Sequence, residues 1–230
     1  MRRLLLLLLF FVIGCPQAQK TNEVSFFSDG FTIYGDYYDG GEKAIILLHM
    51  LGSDRSAWGT LSKELNEMGY TILNIDLRGH GKSVGRGPIR TEWPKFSEDD
   101  FYRMTLDVEG AKNLLKERRK KQFAIIGASI GANVALNFAS EVPIDALALL
   151  SPGLDYRGVR TEGATQKYSG KVLLVAAEDD AHAAEASREL EKLGKSEKTM
   201  EIFKSGGHGT DLLKNNVIKS FVIGWIRKNF

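Results

Sequence analysis

The chain has 230 residues, 43% of them hydrophobic and 26% charged, which suits one folded domain with a large core and excludes a disordered or low-complexity polymer. Its 31 basic and 29 acidic residues leave a formal charge of +2, too little to point to nucleic acid as a partner. The one cysteine, Cys15, excludes an intramolecular disulfide.

Arg2 and Arg3 precede an apolar run over residues 4–13. That run is shorter than a membrane-spanning helix requires and has the length of a secretory signal core. It ends in Val12-Ile13-Gly14-Cys15, which resembles the bacterial lipoprotein signal, where a small residue precedes a cysteine that becomes the lipidated N-terminus. No A-x-A-like site for the ordinary signal peptidase follows. The expectation is a signal peptide over residues 1–14, a lipidated Cys15 and tether over 15–23, and a single domain over 24–230. Removing the signal takes Arg2 and Arg3 with it and balances 29 basic against 29 acidic residues.

Within the domain, residues 24–27 and 31–38 flank Ser28-Asp29-Gly30, a hairpin signal. Residues 44–48 form a continuous apolar run, as expected of a strand buried on both faces. Trp58, Leu61, Leu65 and Met68 follow at helical spacing, and residues 70–75 give the next buried strand. The longest predicted helix starts from Ser97 as its cap and carries Phe101, Met104, Val108, Ala111 and Leu115 at steps of three and four. Its basic end, residues 116–121, complements a helix C-terminus and reads as a solvated end. Strands at 123–126, 146–150, 172–176 and 200–203 then alternate with helices at 132–140, 184–193 and 212–228. This alternation predicts an α/β fold, a mainly parallel sheet covered by helices on both faces and preceded by an antiparallel hairpin.

Sheets of this kind carry their sites in loops at the carboxyl ends of the strands. Those loops contain His49-Met50-Leu51-Gly52-Ser53, Asp76-Leu77-Arg78-Gly79-His80-Gly81-Lys82-Ser83, Ala177-Glu178-Asp179-Asp180 and Gly206-Gly207-His208-Gly209. The remaining one is Gly127-Ala128-Ser129-Ile130-Gly131, a G-x-S-x-G between an apolar strand and a helix. A serine that attacks a carbonyl must stand on a sharp strand-to-helix turn with its hydroxyl exposed. Such a turn crowds its flanking positions, hence the glycines. The helix that follows aims its N-terminal N–H groups at the reaction centre.

Taken together, these loops resemble those of the α/β-hydrolase family over essentially the whole domain. His49-Met50-Leu51-Gly52 is similar to the family's H-G-x-G oxyanion loop, with Met50 in place of glycine. Asp76 to Ser83 is similar to the turn after its fourth strand. The order Ser, Asp, His also matches. The resemblance implies Ser129 as nucleophile, His208 as general base and acid, and a carboxylate that orients His208 and stabilises its cation. It further implies an oxyanion hole from the backbone N–H groups of Ile130 and Leu51, with Met50 lining the substrate site. The acid is one of three neighbours, Glu178, Asp179 and Asp180. Family members carry G-x-x-D here, which puts Ala177 at the glycine position and Asp180 at the acid, with Asp179 as the alternative.

Of the four histidines, His49 and His80 read as structural, His182 as exposed and His208 as the base. No histidine–carboxylate spacing matches a metal site, and no cofactor is expected. The stretch 151–171, where lidded members insert their cover, is short and polar, so no lid domain is expected. The stretch 84–95, with Trp93, is expected to fringe the site. These features resemble the compact esterases and the dienelactone-hydrolase-like members. The reading is a serine esterase of the bacterial cell envelope, acting on small-molecule esters and held to the membrane by its N-terminal lipid. Acyl transfer to another acceptor on the same triad is one alternative. A non-catalytic lipoprotein that uses this shell for binding is the other.

Overall fold

The computed structural model describes residues 21–230; the expected signal peptide over 1–14 and Cys15 lie outside the described residues. Strand β1 (Asn22–Ser28) turns into β2 (Phe31–Tyr38) through Asp29 and Gly30, whose φ values are 43° and 88°. Two successive left-handed residues give the turn a twist that matches the hairpin it closes. The chain continues through β3 (Lys43–Leu48), α1 (Gly59–Glu67) and β4 (Thr71–Ile75) to a small edge hairpin, β5 (Gly85–Arg86) and β6 (Ile89–Arg90). Helices α2 (Glu98–Tyr102) and α3 (Met104–Glu117) lead to β7 (Gln122–Ala128), α4 (Ile130–Glu141) and β8 (Ala146–Leu150). A second hairpin, β9 (Asp155–Tyr156) and β10 (Val159–Arg160), precedes α5 (Glu162–Lys167), β11 (Lys171–Ala177), α6 (Ala181–Lys192), β12 (Glu197–Phe203) and α7 (Asn216–Asn229).

The main sheet runs β12-β11-β8-β7-β3-β4-β2-β5-β6, with β1 paired to β2. The strands from β12 to β4 are mutually parallel, and β2 is antiparallel to β4. Their apolar runs are continuous because both faces are covered. Ala44, Ile46 and Leu48 of β3 face one core with Val108 of α3 and Val134 of α4, whereas Ile45 and Leu47 face the other with Leu61 of α1 and Val222 of α7. Parallel strands all end on one edge, so the loops after β3, β4, β7, β8, β11 and β12 converge there.

Two predicted helices are interrupted. The long helix from Ser97 breaks at Arg103. Ser97 and Asp100 form a capping box for α2, and Leu106 N–H reaches back only three residues, to the Arg103 carbonyl at 3.0 Å. The Arg103 side chain is tied to Asp99 and Asp29 at 2.6 and 3.1 Å, which fixes the tightened turn. Phe101 and Met104 stay buried on either side of it, so their spacing does not reveal the break. The helix predicted over 212–228 instead divides into a 3-10 turn (Gly209–Lys214) and α7. Between them Asn215 caps α7 by accepting the Val217 N–H at 2.9 Å.

Candidate active site

At the end of β7 the backbone turns through Ser129 at φ 54° and ψ −122°. A non-glycine residue there carries strain of order 1–3 kcal/mol, held only by its surroundings. Close contacts supply the hold. A Cβ on Gly127 would lie 2.3 Å from the Gly131 carbonyl oxygen, and one on Gly131 would lie 2.3 Å from that of Leu48. The glycines therefore let β7, α4 and the end of β3 meet at the serine.

His208 joins two of these loops. Its Nδ1–H donates to Asp180 Oδ2 at 2.6 Å, and its Nε2 accepts the Ser129 hydroxyl at 2.7 Å. The proton assignment follows from the partners, since an ionised carboxylate only accepts. Ser129 is 5% exposed, whereas the His208 side chain is 40% exposed, so the imidazole can be reached from solvent.

The Asp180 and Asp179 side chains take different partners. Asp180 occupies the capping position of α6, where an aspartate commonly bonds to the helix's own N–H groups. It makes no such bond, and its carboxylate faces His208. Ala177 serves where glycine is commoner because it ends β11 without entering the left-handed region, and its carbonyl accepts the Asp180 N–H at 3.0 Å. The Asp179 carboxylate instead accepts the N–H groups of Gly206 and Gly207 at 3.1–3.3 Å. Together with a bond from Gly209 N–H to Ser151 Oγ at 2.9 Å, it fastens the loop that carries His208.

His49 acts on the loop after β3. Its Nε2 accepts the Leu77 N–H at 3.1 Å, which leaves the proton on Nδ1 to be donated to the Met50 carbonyl at 2.8 Å. That carbonyl shares a peptide plane with the Leu51 N–H, and in a trans peptide the two point opposite ways. Pinning one therefore orients the other. Among the described residues, no protein acceptor takes the Leu51 or the Ile130 N–H. The motif loop after β4 supports His49 in turn: Asp76 accepts the N–H groups of Arg55 and Lys82, both at 2.8 Å, and Arg78 is buried against Asp107 at 2.8 Å.

The Met50 side chain lies against the His208 loop, its Sδ 3.7 Å from Thr210 Oγ1. With Trp58, Leu61 and Leu213 it lines a cavity of about 540 Å³. Residues 84–95 form the β5–β6 hairpin and a turn whose Trp93 stacks on His80 at 5.8 Å and borders a cleft with Gly52. His182 is exposed. The segment 151–170 holds only the β9–β10 hairpin and the six-residue α5. Its Tyr156 ring packs edge-on against His208 at 6.1 Å, a neighbour that sequence reasoning missed. The segment leaves the carboxyl end of β8, so the same scan of strand-end loops reaches it. Among the described residues, no group of three His, Cys, Asp or Glu could hold a metal ion.

His49 and His80 give this end of the sheet a pH dependence. Burial lowers both from 6.5 to about 4, and for His80 the charge of the adjacent His49 adds to the effect. The unfolded chain protonates both as the pH falls through 6.5, whereas the folded chain keeps them neutral down to about 4. In that window the unfolded state binds more protons. Stability is therefore full above pH 6.5 and falls toward pH 4, by up to about 1.4 kcal/mol per pH unit for each histidine. Urea unfolding at pH 7, 6, 5 and 4.5 measures this slope. His80→Phe should flatten it, and a slope as steep as in the parent would exclude His80 as a source.

The sequence model of the family described as "Serine aminopeptidase, S33" matches residues 41–166, more than half of the chain. The chain is 36% identical to human "Serine hydrolase BPHL" over 104 residues, covering 45% of this chain and 33% of that protein. It is 27% identical to a "Carboxylesterase" of Bacillus subtilis over 146 residues, 58% of this chain and 54% of that one. It is 29% identical over 116 residues to uncharacterised proteins of Mycobacterium bovis and Mycobacterium tuberculosis, half of this chain but only 30% of their length. In structure, the chain superposes on the Pyrococcus furiosus esterase Pf2001 with a TM-score of 0.74 at 19% identity, covering 95% of both chains. A fold shared along nearly the whole chain and a family match over more than half of it agree: the protein is an α/β hydrolase and belongs to the serine aminopeptidase S33 family.

Proposed function

We propose that the protein is a serine carboxylesterase that cleaves short, soluble acyl esters through an acyl-enzyme intermediate. The observation that carries this reading is the His208 imidazole held between Ser129 Oγ at 2.7 Å and Asp180 at 2.6 Å. Ser129 Oγ attacks the acyl carbonyl while His208 Nε2 takes its proton, and Asp180 stabilises the resulting imidazolium. The Ile130 and Leu51 N–H groups meet the oxyanion. Collapse breaks the acyl–alkoxy bond, and His208 returns the proton to the departing alcohol. Water then hydrolyses the acyl-serine by the same steps in reverse.

The small hairpin and short helix in place of a lid support short substrates.

A panel of 4-nitrophenyl esters of graded chain length, followed by tributyrin below and above its solubility, tests the reading. Hydrolysis should favour short acyl chains and show no jump in rate when droplets form. A preference for long-chain emulsified triacylglycerol, or no ester hydrolysis at all, would count against it. We further place the enzyme at the bacterial cell envelope, anchored through a lipidated Cys15, on the strength of Val12-Ile13-Gly14-Cys15. Mass spectrometry of the mature N-terminus should find a diacylglyceryl group on Cys15 that Cys15→Ser abolishes. An unmodified cysteine, or cleavage elsewhere, would remove the anchor.

A further inference from the structure

Tyr156 stands beside the reacting groups on a rigid support. Its hairpin is clamped to the helix that follows the nucleophile. Asn133, buried in α4 four residues after Ser129, accepts the Gly153 N–H at 3.0 Å and donates to the Val159 carbonyl at 2.7 Å. Thr161 Oγ1 donates to the Gly153 carbonyl at 2.7 Å, and Asp155 accepts the Gly158 N–H at 2.7 Å. Gly153 leaves room for the ring, since a Cβ there would lie 2.6 Å from it. The ring meets His208 edge-on at 85° and packs against His182 at 5.8 Å.

The hydroxyl is underused. Among the described residues it donates to the Ser151 carbonyl at 3.4 Å, at the limit of a hydrogen bond. Burial pushes the phenol up to about 12 and the charge on Asp180 adds to this, while the Ser129 hydroxyl beside it pulls the other way. The phenol therefore remains a neutral O–H donor at working pH, next to the nucleophile. Its ring meets His208 edge-on, and His208 is the group that serves the leaving group.

We propose that Tyr156 is a catalytic residue whose hydroxyl donates a hydrogen bond to the ester's alkoxy oxygen as that oxygen departs. The role rests on the esterase reading above. When the tetrahedral intermediate collapses, the acyl C–O bond breaks and its electron pair moves to the alkoxy oxygen. The proton that this oxygen gains comes from His208 Nε2. Tyr156 keeps its own proton and stabilises the charge until that transfer is complete.

Comparing Tyr156→Phe with the parent on ethyl butyrate and on 4-nitrophenyl butyrate tests this. Phenylalanine keeps the ring against His208 and removes only the donor. Ethoxide is a poor leaving group that needs the bond, whereas nitrophenolate leaves unaided. The expected result is a fall in kcat of roughly tenfold on the ethyl ester, the size of one neutral hydrogen bond made in the transition state, with KM unchanged. On the nitrophenyl ester the change should stay within about twofold. Equal losses on both esters would mean that Tyr156 merely shapes His208, and no loss on either would mean that its hydroxyl is idle; both overturn the proposal. If the parent is active and only this pattern fails, the esterase reading stands. If the parent hydrolyses neither ester, that reading falls and this role falls with it.

Discussion

Ser129→Ala is expected to abolish both fluorophosphonate labelling and ester hydrolysis while leaving the protein folded. The loss should be roughly 10⁴-fold or more in kcat, because among the described residues no other hydroxyl bonds to His208 Nε2 to replace that of Ser129. Whatever remains would come from the oxyanion amides and substrate binding alone. Stability should barely move. Alanine meets the same strain at φ 54° that serine does, and the contacts that impose it, Gly127 against Gly131 and Gly131 against Leu48, are untouched. Circular dichroism and the thermal midpoint separate this outcome from unfolding. A folded Ser129→Ala protein with near-parent turnover would refute the assignment of the nucleophile.

The parts of the molecule legible in the sequence were those that local chemistry dictates. Continuous apolar runs such as residues 44–48, too short for a buried helix and set between turn residues, mark strands covered on both faces. Asp29-Gly30 marks a tight hairpin because both positions must take positive φ. Gly127 and Gly131 bracket Ser129 because a side chain at either would strike backbone. The rest depended on contacts distant in sequence. Arg103 interrupts a helix without disturbing its apolar spacing, since Phe101 and Met104 stay three residues apart and both remain buried. Asn215 caps a helix that apolar periodicity runs straight through. Asn133 looks like any polar residue inside a helix, yet it fixes the hairpin of Tyr156 through groups 20 and 26 residues away. No local pattern announces such a bond.

Asp180→Asn is expected to lower kcat by roughly 10⁴-fold, whereas Asp179→Asn should cost about tenfold or less. The two carboxylates are neighbours in sequence but hold different donors. Asp180 accepts the His208 Nδ1–H at 2.6 Å, which leaves Nε2 unprotonated and able to take the proton of Ser129. An asparagine amide turned toward His208 donates to Nδ1 instead and moves the ring proton to Nε2, the wrong tautomer for a base. It also withdraws the charge that stabilises the imidazolium. Among the described residues Asp179 meets only backbone donors, the Gly206 and Gly207 N–H groups, and an asparagine oxygen still accepts from them. The loop keeps its anchor at reduced strength, with the Gly209–Ser151 bond intact. Asp179→Ala removes the acceptor altogether and should fall between the two, with His208 misplaced part of the time. Steady-state kcat for the three variants on one short ester, each checked for folding, decides the assignment. A severe loss in Asp179→Asn with near-normal Asp180→Asn would move the acid one residue back. Equal, modest losses in both would mean that neither carboxylate sets the tautomer of His208.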